Sequence, residues 1–177
     1  MIILGIDPGT ATTGFAILEK TEGKLKDLET KIIGNSNFKV IDFGCIITES
    51  SFSAGDRLCK IHKDLNKIIE KHKPDIISVE SLFFFKNLKT VMPVSQAKGI
   101  ILFTAAKKKI PTIEFTPLQV KMAIAGYGRA EKKQVQKMTK MLLNLEKFDF
   151  KKSNRNKDDA ADALGIAICG GLWKSIS

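Results

Sequence analysis

The sequence predicts one α/β domain over residues 1–177, a five-stranded mixed sheet flanked by helices on both faces. Three observations carry this. The chain opens on a short, continuously apolar run, IILGI at 2–6, as a central strand buried on both faces requires. Three strand-like runs come first, and strands then alternate with segments of helical periodicity, an order that yields one mixed sheet between helical layers. The length suffices for one proper core, and no internal repeat or low-complexity tract suggests an array.

Taken in order, Pro8 and Gly9 break the first strand. GFAIL at 14–18 reads as the second and KVIDFGCII at 39–47 as the third. The polar, Lys/Glu-rich stretch 19–37 between them reads as an extended hairpin or loop. From Ser53 to His72, Leu58, Ile61, Leu65, Ile68 and Ile69 follow helical spacing; Ser53 is an N-cap with Asp56 three residues on, and Pro74 closes the helix. DIISV at 75–79 is a fourth strand, ending at Glu80. A helix through 92–109 carries Ala97, Ile101 and Ala105 as an i, i+4, i+8 stripe. PTIEF at 111–115 gives a short fifth strand. Thr116 and Pro117 then start a helix that Gly126 stops. Val135, Met138, Leu142 and Leu145 mark another from about 131. FDFKKSNRNK at 148–157 reads as a basic loop, and the last helix runs from near Lys157 to about Trp173.

Charge is distributed unevenly. Residues 1–85 balance to −1 and residues 158–177 to −2, whereas residues 86–157 hold 17 basic and 4 acidic side chains, a surplus of +13. So concentrated a surplus implies a polyanionic partner, nucleic acid ahead of an anionic membrane, because no basic amphipathic helix with aromatic anchors appears. No apolar run is long enough to span a bilayer and the N-terminus lacks a signal-peptide pattern, which predicts a cytoplasmic protein. Cys45, Cys59 and Cys169 are far apart and in no CxxC arrangement, so they read as reduced thiols packed as small apolar residues. Neither His62 nor His72 groups with them, which argues against zinc.

Asp7 ends the first strand and Glu80 the fourth; if those strands are neighbours, both acids emerge at one sheet edge. The last helix opens KDDAADAL, placing Asp159 and Asp162 at i and i+3 on one face, with Asp158 about 100° away. Each has a bland explanation alone. Asp-Pro-Gly makes a turn unaided, a strand-end Glu is often surface, and acids at a helix start compensate its dipole. Together they coincide where a metal site would stand. Carboxylates that converge need a cation, and hard oxygen ligands without His or Cys favour Mg²⁺ or Mn²⁺. Two such ions suit in-line displacement at a phosphodiester.

LGIDPGTATTGFAIL, VESLFFFKN, QAKGIIL, VKMAIAGYGRAEKKQVQKM and DDAADALGIAIC, in that order, resemble the motifs of the RuvC family of Holliday-junction resolvases, within the ribonuclease H-like superfamily. The resemblance covers nearly the whole chain apart from 19–37 and 146–157. It implies that Asp7, Glu80, Asp159 and Asp162 are metal-binding catalytic acids, with Asp159 preferred to Asp158 because it stands three before Asp162. It implies that Phe83 stacks at the distorted junction and that Lys121 and Lys132 lie against DNA, with Lys86, Arg129 and Lys133 as further phosphate contacts. Core packing is the competing reading for one or two of Phe83, Phe84 and Phe85, and plain solvation for the lysines. Gly9, Thr10 and Gly14 are expected to shape the first hairpin. A homodimer and a branch-migration complex as partner are also implied. The helix through 92–109 resembles the family's dimer element, although its apolar stripe suits intrachain core equally.

Three other readings compete. Actin-like ATPases open on a similar Asp-x-Gly-Thr turn, but they need a second domain and a second phosphate loop. A junction binder without activity has no need of four acids. The nearest rival is a ribonuclease H-like nuclease of other specificity, such as one cutting RNA in a hybrid.

Overall fold

The computed structural model describes residues 1–21, 37–81, 88–145 and 157–173. Its strands are β1 (Ile2–Asp7), β2 (Thr12–Lys20), β3 (Phe38–Ile47), β4 (Ile76–Glu80) and β5 (Thr112–Phe115), in one sheet of order β3-β2-β1-β4-β5. β1, β2 and β3 pair antiparallel, whereas β4 runs parallel to β1 and β5 to β4, so the expected mixed sheet is present. The DPGT turn links β1 directly to β2, and the Thr13 hydroxyl donates to the Gly9 carbonyl at 2.6 Å to tie it down. The parallel pairs are reached through helical crossovers, α1 (Ala54–His72) before β4 and α2 (Leu88–Lys107) before β5.

Each face of the sheet has its own helices. On one, Leu4, Ile6, Ile17, Ile77 and Val79 pack against Ile61, Leu65 and Ile69 of α1 and against Ala97, Ile101 and Ala105 of α2. The stripe on α2 is therefore core within the chain. On the other face, Ile3, Ala16, Leu18 and Ile76 meet Ala160, Ala163, Leu164 and Ala167 of α5 (Lys157–Trp173). Outside α5 lie α3 (Pro117–Ala125) and α4 (Lys132–Leu142), so Ile166 and Cys169 of α5 are buried against Val120, Ile124 and Phe115. A helix buried between two layers has no solvent face to make polar, which explains the nearly unbroken apolar run after Asp162. Small residues let it lie close: a β-carbon added at Gly5 would stand 2.3 Å from the Ala163 carbonyl oxygen.

The caps fall where the sequence places them. The Asp56 amide donates to Ser53 Oγ at 3.2 Å, Thr116 and Gln119 form a reciprocal capping box, and Gly126 ends α3 with φ +69°. α1 ends on Lys73 in the left-handed region, one residue before Pro74. α2 begins at Leu88 rather than 92 and carries Pro93 inside. Pro93 lies beyond the first turn, so its missing N–H removes an intrahelical hydrogen bond and its ring crowds the carbonyl four residues back, a cost that the burial of Ala97, Ile101 and Ala105 offsets. Cys169 is buried as expected and Cys45 half-buried, but Cys59 is exposed on α1 and packs in no core. Burial pushes the Cys169 thiol up to about 12. Residues 22–36 of the 19–37 stretch, residues 148–156 of the basic loop, Phe83 and Lys86 lie outside the described residues.

Candidate active site

Strand alternation settles which way the acids face. Leu4 and Ile6 point to the α1–α2 side, so Ile3, Gly5 and Asp7 point to the α5 side. On β4, Ile77 and Val79 face α1 and α2, leaving Ile76, Ser78 and Glu80 on the same side as Asp7. The parallel register pairs Ile6 with Val79, so Asp7 and Glu80 are the next residues on adjacent strands. Both therefore stand at one edge and on one face of the sheet.

α5 brings the other two. Across from Asp7 on β2 lies Gly14, where an added β-carbon would stand 2.0 Å from the Asp159 carbonyl oxygen. The missing side chain lets the first turn of α5 rest on β2 beside Asp7. Asp162, one turn on, shares that face. Asp158 points outward: its side chain is 71% exposed, against 30% for Asp162.

The electrostatics register the crowding. Burial, then Glu80, Asp162 and Asp159, push the Asp7 carboxyl from 3.8 up to about 8. Burial and then Asp162 raise both Glu80 and Asp159 above the usual carboxylate range. The opposing charge is Lys132, at the first position of α4, whose ammonium lies 2.8 Å from Asp162 Oδ2 and 3.9 Å from Asp158 Oδ2. Burial disfavours that charge, but the hydrogen bond and field of Asp162, with Asp158 and Asp7, more than offset it and raise the lysine above its ordinary value. A lysine at a helix N-terminus opposes the dipole, so these acids also stabilise its position.

An all-carboxylate donor set, with Asp7, Glu80 and Asp159 raised in proton affinity, fits a hard divalent cation and gives zinc no nitrogen or sulfur ligand. Among the described residues, no three such side chains are gathered closely enough to grip an ion as they stand. The acids share a site without forming a finished ligand cage.

The chain matches the family model for crossover junction endodeoxyribonuclease RuvC over residues 3–170. It belongs to the RuvC family. A relative of that name from Halothermothrix orenii is 47% identical over 171 residues, covering 97% of this chain and 92% of its own. Another, from Desulforamulus reducens, is 45% identical over 175 residues, covering 99% and 96%. The solved structure of Thermus thermophilus RuvC in complex with Holliday junction substrate matches with a TM-score of 0.81 at 27% identity, covering 99% of this chain and 96% of that one. The sheet and its helices are thus the ribonuclease H-like fold of RuvC, and all four candidate acids fall inside the span matched to the RuvC family.

Among residues expected from the RuvC resemblance, Lys132 joins the acids directly. Lys121 lines a cavity that also touches Glu80 and Asp162. Arg129 and Lys133 are exposed and have no ion-pair partner among the described residues. Gly14 does more than shape the hairpin: it seats α5. The signal was available, because a glycine inside an apolar strand, rather than at its turn, marks close backbone approach. The cavity itself, with Gln136 and Thr139 in its wall, had no sequence signal, since its lining comes from separate elements.

Proposed function

We propose that this chain is a structure-specific endodeoxyribonuclease that resolves four-way DNA junctions by paired symmetric nicks, in homologous recombination and DNA repair. The observation that carries the reading is the convergence of Asp7, Glu80, Asp159 and Asp162 at one sheet edge, in a chain of the RuvC family. Those four acids would hold two Mg²⁺ or Mn²⁺ ions. Bound there, the ions would supply activation of water and stabilisation of the leaving oxygen.

The chain's own residues do the rest. The β1–β4 register and the contact of α5 with Gly14 keep the carboxylates together. Lys132 holds Asp162 in place and offers a cation to the phosphate; Lys121 stands on the same wall. Arg129 and Lys133 extend the basic surface and, with Lys86 as a further phosphate contact implied by the resemblance, would give affinity through counterion release. Phe83 stacks on an opened base, worth roughly 1–3 kcal/mol. Two nicks need two sites, so the working unit is a homodimer, acting in the cytoplasm beside a branch-migration complex. Among the described residues, no helix is long and apolar enough to cross a membrane.

The test is an end-labelled synthetic junction incubated with Mg²⁺, Mn²⁺ or EDTA, beside a linear duplex and an RNA–DNA hybrid. Paired nicks in the junction alone, and only with metal, support a resolvase. Cleavage of the hybrid instead overturns the substrate, and binding without cleavage in either metal overturns the activity.

A further inference from the structure

Beside the acids, between α3, α4 and α5, lies a cavity of about 280 Å³. It shares Glu80, Asp162 and Lys132 with the acid cluster, so it is continuous with the candidate site. Val120, Val135 and Ile166 give it apolar walls, and among the described residues no aromatic side chain lines it. Its volume falls just below that of drug-sized ligand pockets, about 300–1,000 Å³, which is room for one planar ring system.

Its polar groups are few and differ in readiness. The Thr139 hydroxyl donates to the Val135 carbonyl at 2.9 Å, which leaves it free only to accept. Gln136 is half-buried and makes no hydrogen bond among the described residues. A carboxamide carries both donors and an acceptor, the pattern that pairs with the edge of a base. Lys132 and Gln136 stand four residues apart on α4, hence on one face and about 5–6 Å apart at their β-carbons. A nucleotide spans a similar distance from phosphate to base. A phosphate held at the acids and Lys132 would therefore deliver its neighbouring base to Gln136.

We propose that this cavity takes one nucleobase of the cut strand, extruded beside the scissile phosphate, and that Gln136 reads its edge and so sets a sequence preference for cleavage. The inference rests on the junction-cleaving reading above. A junction centre suits it, because bases at a strand exchange are less firmly stacked and cost less to extrude than those in a continuous duplex. Apolar walls replace the lost stacking, and the carboxamide supplies discrimination.

Two measurements test it. In the first, 2-aminopurine replaces the base on either side of the cut in turn, and the wild-type chain is added in Ca²⁺. Fluorescence rises for one of these positions, because an extruded 2-aminopurine loses the base stacking that quenches it, and stays flat for a probe several base pairs out in an arm. A flat signal on both sides of the cut overturns the pocket. In the second, wild type and Gln136→Leu cut a panel of junctions that differ only at that base. The ratio of the best to the worst sequence falls about two- to tenfold in the variant, the scale of one net hydrogen bond. An unchanged ratio removes Gln136 as the reader. The first measurement needs no variant, so a misfolded Gln136→Leu does not protect the proposal. A wild-type chain that cuts no junction overturns the parent reading with it, whereas cutting with a flat 2-aminopurine signal overturns this inference alone.

Discussion

The α-carbon of Gly14 faces the carbonyl oxygen of Asp159 so closely that a single added β-carbon would stand 2.0 Å from it. The neighbour is backbone, so no rotamer relieves the clash, and α5 must shift or the sheet must bend. Gly14→Ala is therefore expected to cost about 1–3 kcal/mol of stability, as overpacking does. It should also lower metal-dependent cleavage by moving Asp159 from Asp7. Thermal unfolding and cleavage rate, read together, check this; a variant normal in both would mean that α5 is not seated at this contact.

Asp7→Asn keeps the shape and removes the charge that burial and three carboxylates disfavour. Cleavage should fall by at least about three orders of magnitude, as for a group required in the transition state. Junction binding should survive, and stability should rise by about 0.5–2 kcal/mol. Cleavage surviving in the variant would sink the metal assignment.

The same residue makes stability depend on pH. Its carboxyl titrates at about 8 in the fold against an ordinary 3.8, so over that interval the native state holds a proton that the unfolded chain lacks. Stability measured in EDTA should therefore be greatest near pH 4 and fall as pH climbs towards 8, and Asp7→Asn should flatten the fall. A divalent ion needs the carboxylate charged, so the half-activating Mg²⁺ concentration should drop across the same range. Wild-type stability that rises relative to Asp7→Asn between pH 4 and 8 would reverse the sign and reject the assignment.

Lys132→Ala removes the cation bonded to Asp162, and Lys121→Ala a cation of the adjoining cavity. Each should slow cleavage. A lysine that meets a phosphate should also lower the slope of log affinity against log salt by about 1. An unchanged slope with normal cleavage would return that lysine to the solvated surface.

A dimer through α2 must use the face that the core leaves free, because Ala97, Ile101 and Ala105 are spent on the sheet. That face carries Met92, 63% exposed, and Phe103, 55% exposed, with Gly99 between them and nothing within 4 Å of its missing β-carbon. Phe103→Asp should shift sedimentation from dimer to monomer without loss of helical content. A persistent dimer would place the interface elsewhere.

Strand and helix identity were legible in this sequence because they follow from local torsions and burial periodicity. IILGI, DIISV and the caps at Ser53, Thr116 and Gly126 each state their conformation within a few residues. The candidate acids were legible too, as carboxylates at a strand end, at another strand end and at i, i+3 on a helix. α2 began earlier than its proline suggested, because the burial of the turns that follow outweighs the hydrogen bond that Pro93 removes. What only the tertiary structure decided is adjacency. That β4 pairs with β1 in register, that α5 rests on Gly14, that Lys132 reaches Asp162 and that Gln136 lines a cavity with Glu80 all join residues far apart in the chain. Such pairings depend on which surfaces fit and which charges must be compensated once the layers close, and neither quantity exists in a stretch of sequence taken alone.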